Sequence, residues 1–250
     1  MARKKGRNVD GVLLVDKPQG LSSNQALRRV SAAINARKAG HTGSLDPLAT
    51  GLLVLCFGEA TKVSGWLLDA DKTYHTTAVL GVTTDSADAD GSVVERCAVQ
   101  GLDRATIERV LAQFRGPQQQ VPPMFSALKH QGKRLYELAR AGVEVERTPR
   151  AVTIYDLELR SWADNQIDLS VRCSKGTYIR SLVADIGEAL GCGAHVGALR
   201  RVALQPFEQP AMWTLEQVEA HVANDPAALD GQLLSADCAL VDLDWVALSE

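Results

Sequence analysis

Residues 41–51 read His-Thr-Gly-Ser-Leu-Asp-Pro-Leu-Ala-Thr-Gly and set one carboxylate, Asp46, in a turn between two glycines, directly ahead of an apolar run. Pro47 fixes its own φ and drives the preceding Asp46 toward extended backbone, while Gly43 and Gly51 permit close backbone approach. The acid is therefore placed by the turn itself, as a nucleophile requires. Asp-Pro also starts ordinary turns and caps helices. The other chemistry-bearing segments weigh between these readings.

Three of them put polar groups on apolar frames. Asp71-Lys-Thr-Tyr74 opens a β-branched run with a phenol; Ser174-Lys-Gly-Thr-Tyr-Ile-Arg180 joins a strand to a helix; His195-Val-Gly-Ala-Leu-Arg-Arg201 follows a glycine-rich turn. An arginine beside Asp46 would hold the carboxylate ionised, lowering its pKa by ~1 to 3 units, and orient it through a charge-assisted fork. The ring of Tyr74 could stack on a nucleobase, worth ~1 to 3 kcal/mol, with its hydroxyl left for proton transfer. Taken singly, Tyr74 reads as a strand residue on a half-buried face and Arg180 as a surface charge.

These groups must be positioned by alternating strands and helices without a repeated βαβ period. Patterning predicts strands over 11–16, 52–57, 73–80, 152–159, 167–173 and 196–204, with a hairpin turn at Asp164-Asn165 and a loop through Asp90-Gly91 into 92–94. It predicts helices over 22–34, capped by Ser22 or Ser23, then 59–68, 103–114 with Ile107, Val110, Leu111 and Phe114 inward, and 177–190, stopped by Gly191. Residues 118–150 hold three glutamines, Pro122-Pro123, a basic cluster and one short helical stretch around 135–139, the pattern of an excursion from the core. From Met212 the sequence turns acidic and helical, with Leu215, Val218 and Val222 in register, and reads as a helical appendage. The fold class expected is α+β, a mixed α/β chain with a mainly antiparallel sheet.

Composition narrows the function. A chain of 250 residues that is 46% hydrophobic and 23% charged can bury a full core. The run 12–15 after the basic residues Arg3, Lys4, Lys5 and Arg7 is too short for a signal core or a membrane span, so the expected location is cytoplasmic. Five cysteines at irregular spacings, with no Cys-x-x-Cys, argue against a disulfide framework and a structural zinc site, and Cys192 with His195 lacks a second ligand pair. The net charge of −3 conceals a division: residues 1–40 carry nine Lys or Arg against Asp10 and Asp16, whereas 211–250 carry eight acids and no Lys or Arg. With Lys129, Lys133, Arg134, Lys175, Arg180, Arg200 and Arg201, a basic face on an acidic chain is expected, and local charge is what sets phosphate affinity. A calcium loop at Asp85, Asp88, Asp90 and Gly91 fails, because an EF-hand frame from Ser86 puts Cys97 where the final glutamate is needed.

Together, Asp10-Gly-Val-Leu-Leu-Val-Asp-Lys-Pro-Gln-Gly-Leu-Ser-Ser-Asn24, the 41–51 turn, Lys72-Thr-Tyr74, Pro122-Pro-Met-Phe-Ser-Ala-Leu-Lys129, Cys173-Ser-Lys-Gly-Thr-Tyr-Ile-Arg180 and His195-Val-Gly-Ala-Leu-Arg200 resemble the bacterial tRNA pseudouridine-55 synthases of the TruB type. The resemblance runs in order from about residue 9 to 210. It implies the pseudouridine synthase fold, with helices flanking the sheet and an RNA-binding cleft, and isomerisation of uridine in the tRNA T-loop. Asp46 matches the catalytic aspartate, Tyr74 the ring that stacks on the base and takes the C5 proton, and Arg180 the arginine paired with the aspartate. His41 matches the histidine that enters the T-loop, and Leu199 a pocket wall; Tyr178, Lys129 and Arg201 are further expected substrate contacts. Lys17 and Pro18 match a motif that supports the pocket.

The domain division expected is 1–210 as catalytic domain, with 118–150 closing over RNA, and 211–250 as acidic helical segment without the PUA-like module usual in this family. No cofactor or metal is expected, since isomerisation transfers no electrons and no group. The expected partner is the T-arm of tRNA, with no membrane or protein partner and a monomeric chain. A non-catalytic RNA-binding or tRNA-folding protein of the same fold is the alternative. A uridine in a folded loop must be everted to expose its glycosidic bond, at a cost of a few kcal/mol that RNA contacts must offset.

Overall fold

The computed structural model describes residues 6–241. The basic residues Arg3, Lys4 and Lys5 and the acids beyond 241 lie outside the described residues. The chain forms two compact units, Met1–Lys72 with Arg200–Glu250, and Thr73–Leu199.

The first unit begins with β1 (Gly11–Lys17), followed by α1 (Ser23–Ala33). Ser22 caps α1 through a reciprocal capping box with Gln25, which satisfies two otherwise open amides of the first turn. Then come β2 (Ala39–Thr42) and β3 (Thr50–Phe57). The helix expected over 59–68 is broken in two: a 3-10 turn over Gly58–Lys62 and α2 (Ser64–Asp69) meet at Val63, whose φ of −95° and ψ of 0° leave α geometry.

In the second unit, β4 (Lys72–Leu80) leads into a small hairpin of β5 (Val82–Thr84) and β6 (Val93–Arg96). Asp103 caps α3 (Arg104–Gln113), whose buried face is Ile107, Val110 and Leu111. Next is β7 (Gly116–Gln120), a difference from expectation. Residues 118–120 belong to the sheet, since β7 pairs antiparallel with β10 (Arg150–Ala163), so that the excursion proper starts only after Gln120. Within it lie a two-residue hairpin, β8 (Lys129–His130) with β9 (Lys133–Arg134), and α4 (Leu135–Arg140). After β10 come β11 (Gln166–Cys173), α5 (Ile179–Ala189) and β12 (Ala194–Leu204). Strand order in this unit is β12-β4-β11-β10-β7.

The chain re-enters the first unit along β12 and closes it with β13 (Trp213–Thr214) and α6 (Leu215–His221). Strand order here is β13-β1-β3-β12. β1 pairs antiparallel with β3 and parallel with β13, and β12 pairs parallel with β3 at Arg200↔Thr50 and Arg201↔Gly51. The sheet pattern is mixed, as expected, with most pairings antiparallel. Alternation sends Leu13, Val15, Leu53, Leu55 and Phe57 to one face, against α1 and α6, and Val12, Leu14, Leu52, Val54 and Cys56 to the other, against Leu67 of α2. Both faces are covered, which is why these two strands read as continuous apolar runs.

The segment from Met212 is therefore no appendage. Leu215, Val218, Val222 and Leu229 are buried in the same cluster as Val15 and Val30. Leu215→Ala is expected to cost about 2 to 5 kcal/mol of unfolding free energy in denaturant titration, the range for truncating a fully buried leucine; a loss below about 0.5 kcal/mol would mean that this helix is dispensable to the core.

Candidate active site

Asp46 lies on the loop between β2 and β3, at a change of neighbours. One edge of β3 is taken by β2 over Val54–Phe57 and by β12 at Thr50 and Gly51. The loop 43–49 leaves where the first partner ends and returns where the second begins. Its core anchors are Leu45, Leu48 and Ala49, all buried, with Asp46 half-buried among them. The Ala49 amide donates to the Asp46 carbonyl at 3.1 Å and closes the turn that the Asp-Pro pair initiates.

Gly43, Leu45 and Pro47 of this loop are held from outside. The Ser23 hydroxyl, itself buried, accepts from the Leu45 amide at 2.8 Å and faces the Leu45 carbonyl at 3.2 Å. The Gly20 amide donates to the Pro47 carbonyl at 2.8 Å. The Lys17 ammonium, on a fully buried side chain, donates to the carbonyls of Pro18 (2.8 Å) and Leu21 (2.6 Å) and reaches that of Pro47 at 3.5 Å. Arg201, 1% exposed, donates from Nε to Leu52 (2.7 Å) and from Nη2 to Gly43 (3.1 Å). Gly51 sits at φ +95°, and a Cβ there would lie 2.2 Å from the Arg201 carbonyl, so the close approach of β12 requires glycine.

Burial sets the charge states. It lowers the Lys17 pKa to about 8, opposed by the Asp46 carboxylate and reinforced by Arg201. It also lowers His41, with Arg201 as second cause, favouring the neutral imidazole; His41 Nδ1 is buried and has no hydrogen-bond partner among the described residues. Arg200, next to Arg201, points the other way and forms a two-point pair with Asp16 at 2.9 and 2.7 Å.

The other expected residues belong to the second unit. Tyr74 on β4 is 8% exposed and Leu199 on β12 is equally buried. Arg180, the second residue of α5, is 4% exposed and no surface charge. It donates to the carbonyls of Ser86 (2.8 Å) and Phe125 (2.6 Å), and its Nε stands 3.6 Å from the Asp88 carboxylate, which also accepts from the Ser86 hydroxyl at 2.5 Å. The acidic loop weighed as a calcium site thus gives Asp88 to an arginine. Tyr178 precedes α5 and is half-buried. Lys129 is exposed on the β8–β9 hairpin and lines a cavity of about 140 Å³ with His130, Arg147 and Arg150.

Residues 31–179 match the TruB family pseudouridylate synthase (N terminal domain), and residues 180–241 the tRNA pseudouridylate synthase B C-terminal domain. The chain belongs to the TruB family. Proteins named tRNA pseudouridine synthase B are similar over nearly its full length: that of Chromohalobacter salexigens is 56% identical, covering 96% of this chain and 78% of the relative, and that of Nitrosococcus oceani 53%, covering 99% and 80%. Among solved structures, a chain of a Cbf5-Nop10-Gar1 complex shares 28% identity at a TM-score of 0.72, covering 92% of this chain and 61% of its own. A chain of an H/ACA RNP bound to a substrate RNA containing 2'-deoxyuridine shares 25% at 0.69, covering 92% and 60%. This chain thus spans about three fifths of those longer solved chains.

For this TruB-family chain the expected site residues fall in both units. Asp46 and His41 share one unit with Lys17, Ser23 and Arg201; Tyr74, Arg180, Tyr178 and Leu199 share the other with Asp88. The expected contact of Arg201 with RNA is corrected: its guanidinium is committed to two main-chain carbonyls and sealed from solvent, because a buried charge must find such partners. Two residues outside the expected set join these positions: Ser23, which the sequence offers as a helix cap, and Asp88, which it offers as a calcium ligand in a loop that fails. A second serine after a capping serine was the one signal for the former.

Ser23→Ala leaves the Leu45 amide and carbonyl without this partner and is expected to lower stability by roughly 1 to 3 kcal/mol in urea unfolding; an unchanged midpoint would show that the loop is held without it. Lys17 has its folded pKa near 8 and its unfolded pKa near 10.5. Below 8 both states carry the proton and the burial penalty is complete; between the two values the unfolded chain holds more protons, so this group's contribution to stability rises with pH. Wild type is expected to gain on Lys17→Met as pH rises from about 8 to about 10.5, and a flat or falling difference would contradict a buried ammonium.

Proposed function

We propose that this chain isomerises uridine to pseudouridine in tRNA, at position 55 of the T-loop, on an everted nucleotide. The observation that supports this best is the Asp46 turn, a half-buried carboxylate on a loop held at Gly43, Leu45 and Pro47, in a member of the TruB family. Asp46 is the nucleophile, toward the ribose C1′ or the uracil ring. The N1–C1′ bond breaks, the base rotates, C5–C1′ forms, and the C5 proton leaves while N1 gains one. Atoms and electrons balance without an acceptor or donor, so the chemistry requires no redox cofactor.

Tyr74 stacks on the everted uracil and receives the C5 proton. Arg180 keeps the nucleophile ionised, and its own placement by Ser86, Phe125 and Asp88 costs little reorganisation in the reaction. His41, its pKa lowered by burial, enters the T-loop beside the everted nucleotide, and Leu199 walls the pocket. Lys129 meets RNA phosphate, with the excursion that carries it closing over the substrate, and Tyr178 lies near the RNA. We further assign the chain to the cytoplasm, acting as a monomer; among the described residues no helix is long and apolar enough to cross a membrane.

Asp46→Asn is expected to reduce tritium release from 5-tritiated uridine in a T-arm stem-loop by at least about 10³-fold, the scale for loss of a group that acts in the transition state, while RNA binding stays within a few-fold. Turnover near wild type in that variant would remove Asp46 from the mechanism. Wild-type protein that binds the stem-loop but releases no tritium would instead favour a non-catalytic RNA-folding role.

A further inference from the structure

Gln120 ends β7 and pairs with Arg150 of β10, so it stands where the excursion leaves the sheet. Its side chain is 3% exposed and lies against the entrance of α5. Oε1 accepts from the Tyr178 amide at 2.7 Å and Nε2 donates to the Tyr178 carbonyl at 3.0 Å. Tyr178 precedes the first turn of α5, and its own side chain makes no capping bond. Two further contacts continue the line: the Ser181 hydroxyl donates to the Val121 carbonyl at 3.0 Å, and Arg180 Nη2 to the Phe125 carbonyl at 2.6 Å.

We infer that Gln120 is a positioning residue for the isomerisation, clamping the amino-terminal turn of α5, and with it Arg180, to the end of β7, where the excursion leaves the sheet. This rests on the catalytic reading of Arg180. A primary amide is suited to the task, since it offers one acceptor and one donor to the two groups of a single peptide residue and so fixes that residue in rotation as well as position. Met fills the same volume and makes neither bond. With the excursion closing over RNA as proposed, a limb that shifts at 121–125 pulls on Ser181 and Arg180, while Gln120 holds Tyr178 to the sheet.

Single-turnover tritium release from a T-arm stem-loop tests this. Gln120→Met is expected to slow the reaction about 10- to 100-fold, the scale on which small misplacements of a reacting group act, with RNA dissociation constants within about threefold. Ser181→Ala is expected to slow it by a smaller factor. In an Arg180→Ala background both substitutions should add nothing further; losses that multiply in that background overturn the proposal and leave Arg180's role intact. An Arg180→Ala variant with wild-type turnover defeats the catalytic reading itself, and the inference with it. Should Gln120→Met not fold, Ser181→Ala carries the comparison alone, and a wild-type rate there also overturns the proposal.

Discussion

Two buried cations hold the turn that carries Asp46 by its main-chain oxygens. Lys17 and Arg201 are both almost sealed from solvent, and both spend their donors on carbonyls, Lys17 on Pro18, Leu21 and Pro47, Arg201 on Leu52 and Gly43. Charges taken out of water are tolerated only with such partners, and the depressed pKa of Lys17 records the strain of the arrangement. The return is a loop with little freedom. Its backbone is tied on either side of Asp46, so the fold itself sets where that carboxylate sits.

The second unit solves the same problem for a cation. Arg180 is fixed through two carbonyls and a nearby carboxylate from two segments: Ser86 and Asp88 in the loop after β5, and Phe125 in the excursion. A guanidinium presents five N–H donors in a planar fork, which lets it hold to both segments in a fixed orientation. The helix that bears it starts without a cap of its own and borrows one from Gln120. Both units thus use side chains on main-chain carbonyls to help locate the groups assigned to the chemistry.

The excursion divides along the same line. Its first limb, leaving the sheet after Gln120, is anchored to α5 through Val121 and Phe125, whereas its tip offers the exposed Lys129 and Arg134. An anchored limb and a basic tip fit a segment that grips an anion at one end and reports that grip at the other.

Much of this was legible in the residue order. The apolar runs of β1 and β3, the capping serine of α1, the inward face of α3, the rigid Asp-Pro turn and the family resemblance all follow from local pattern, because period, caps and turn chemistry act within a few residues. What the order could not express is which distant segment each polar group meets. Arg200 and Arg201 are alike and adjacent, yet one faces the Asp16 carboxylate and the other is buried under the Asp46 loop; the choice was made by the parallel register of β12 on β3, since successive residues of a strand point to opposite faces. Gln118 to Gln120 look like loop and become strand because β10 supplies the partner. The carboxyl-terminal helix looks peripheral and is core because β1 and α1 leave an apolar face that it fills. Sequence determined most of the elements and named the candidate residues; tertiary structure alone decided their partners, because pairing register and packing are made between segments far apart in the chain.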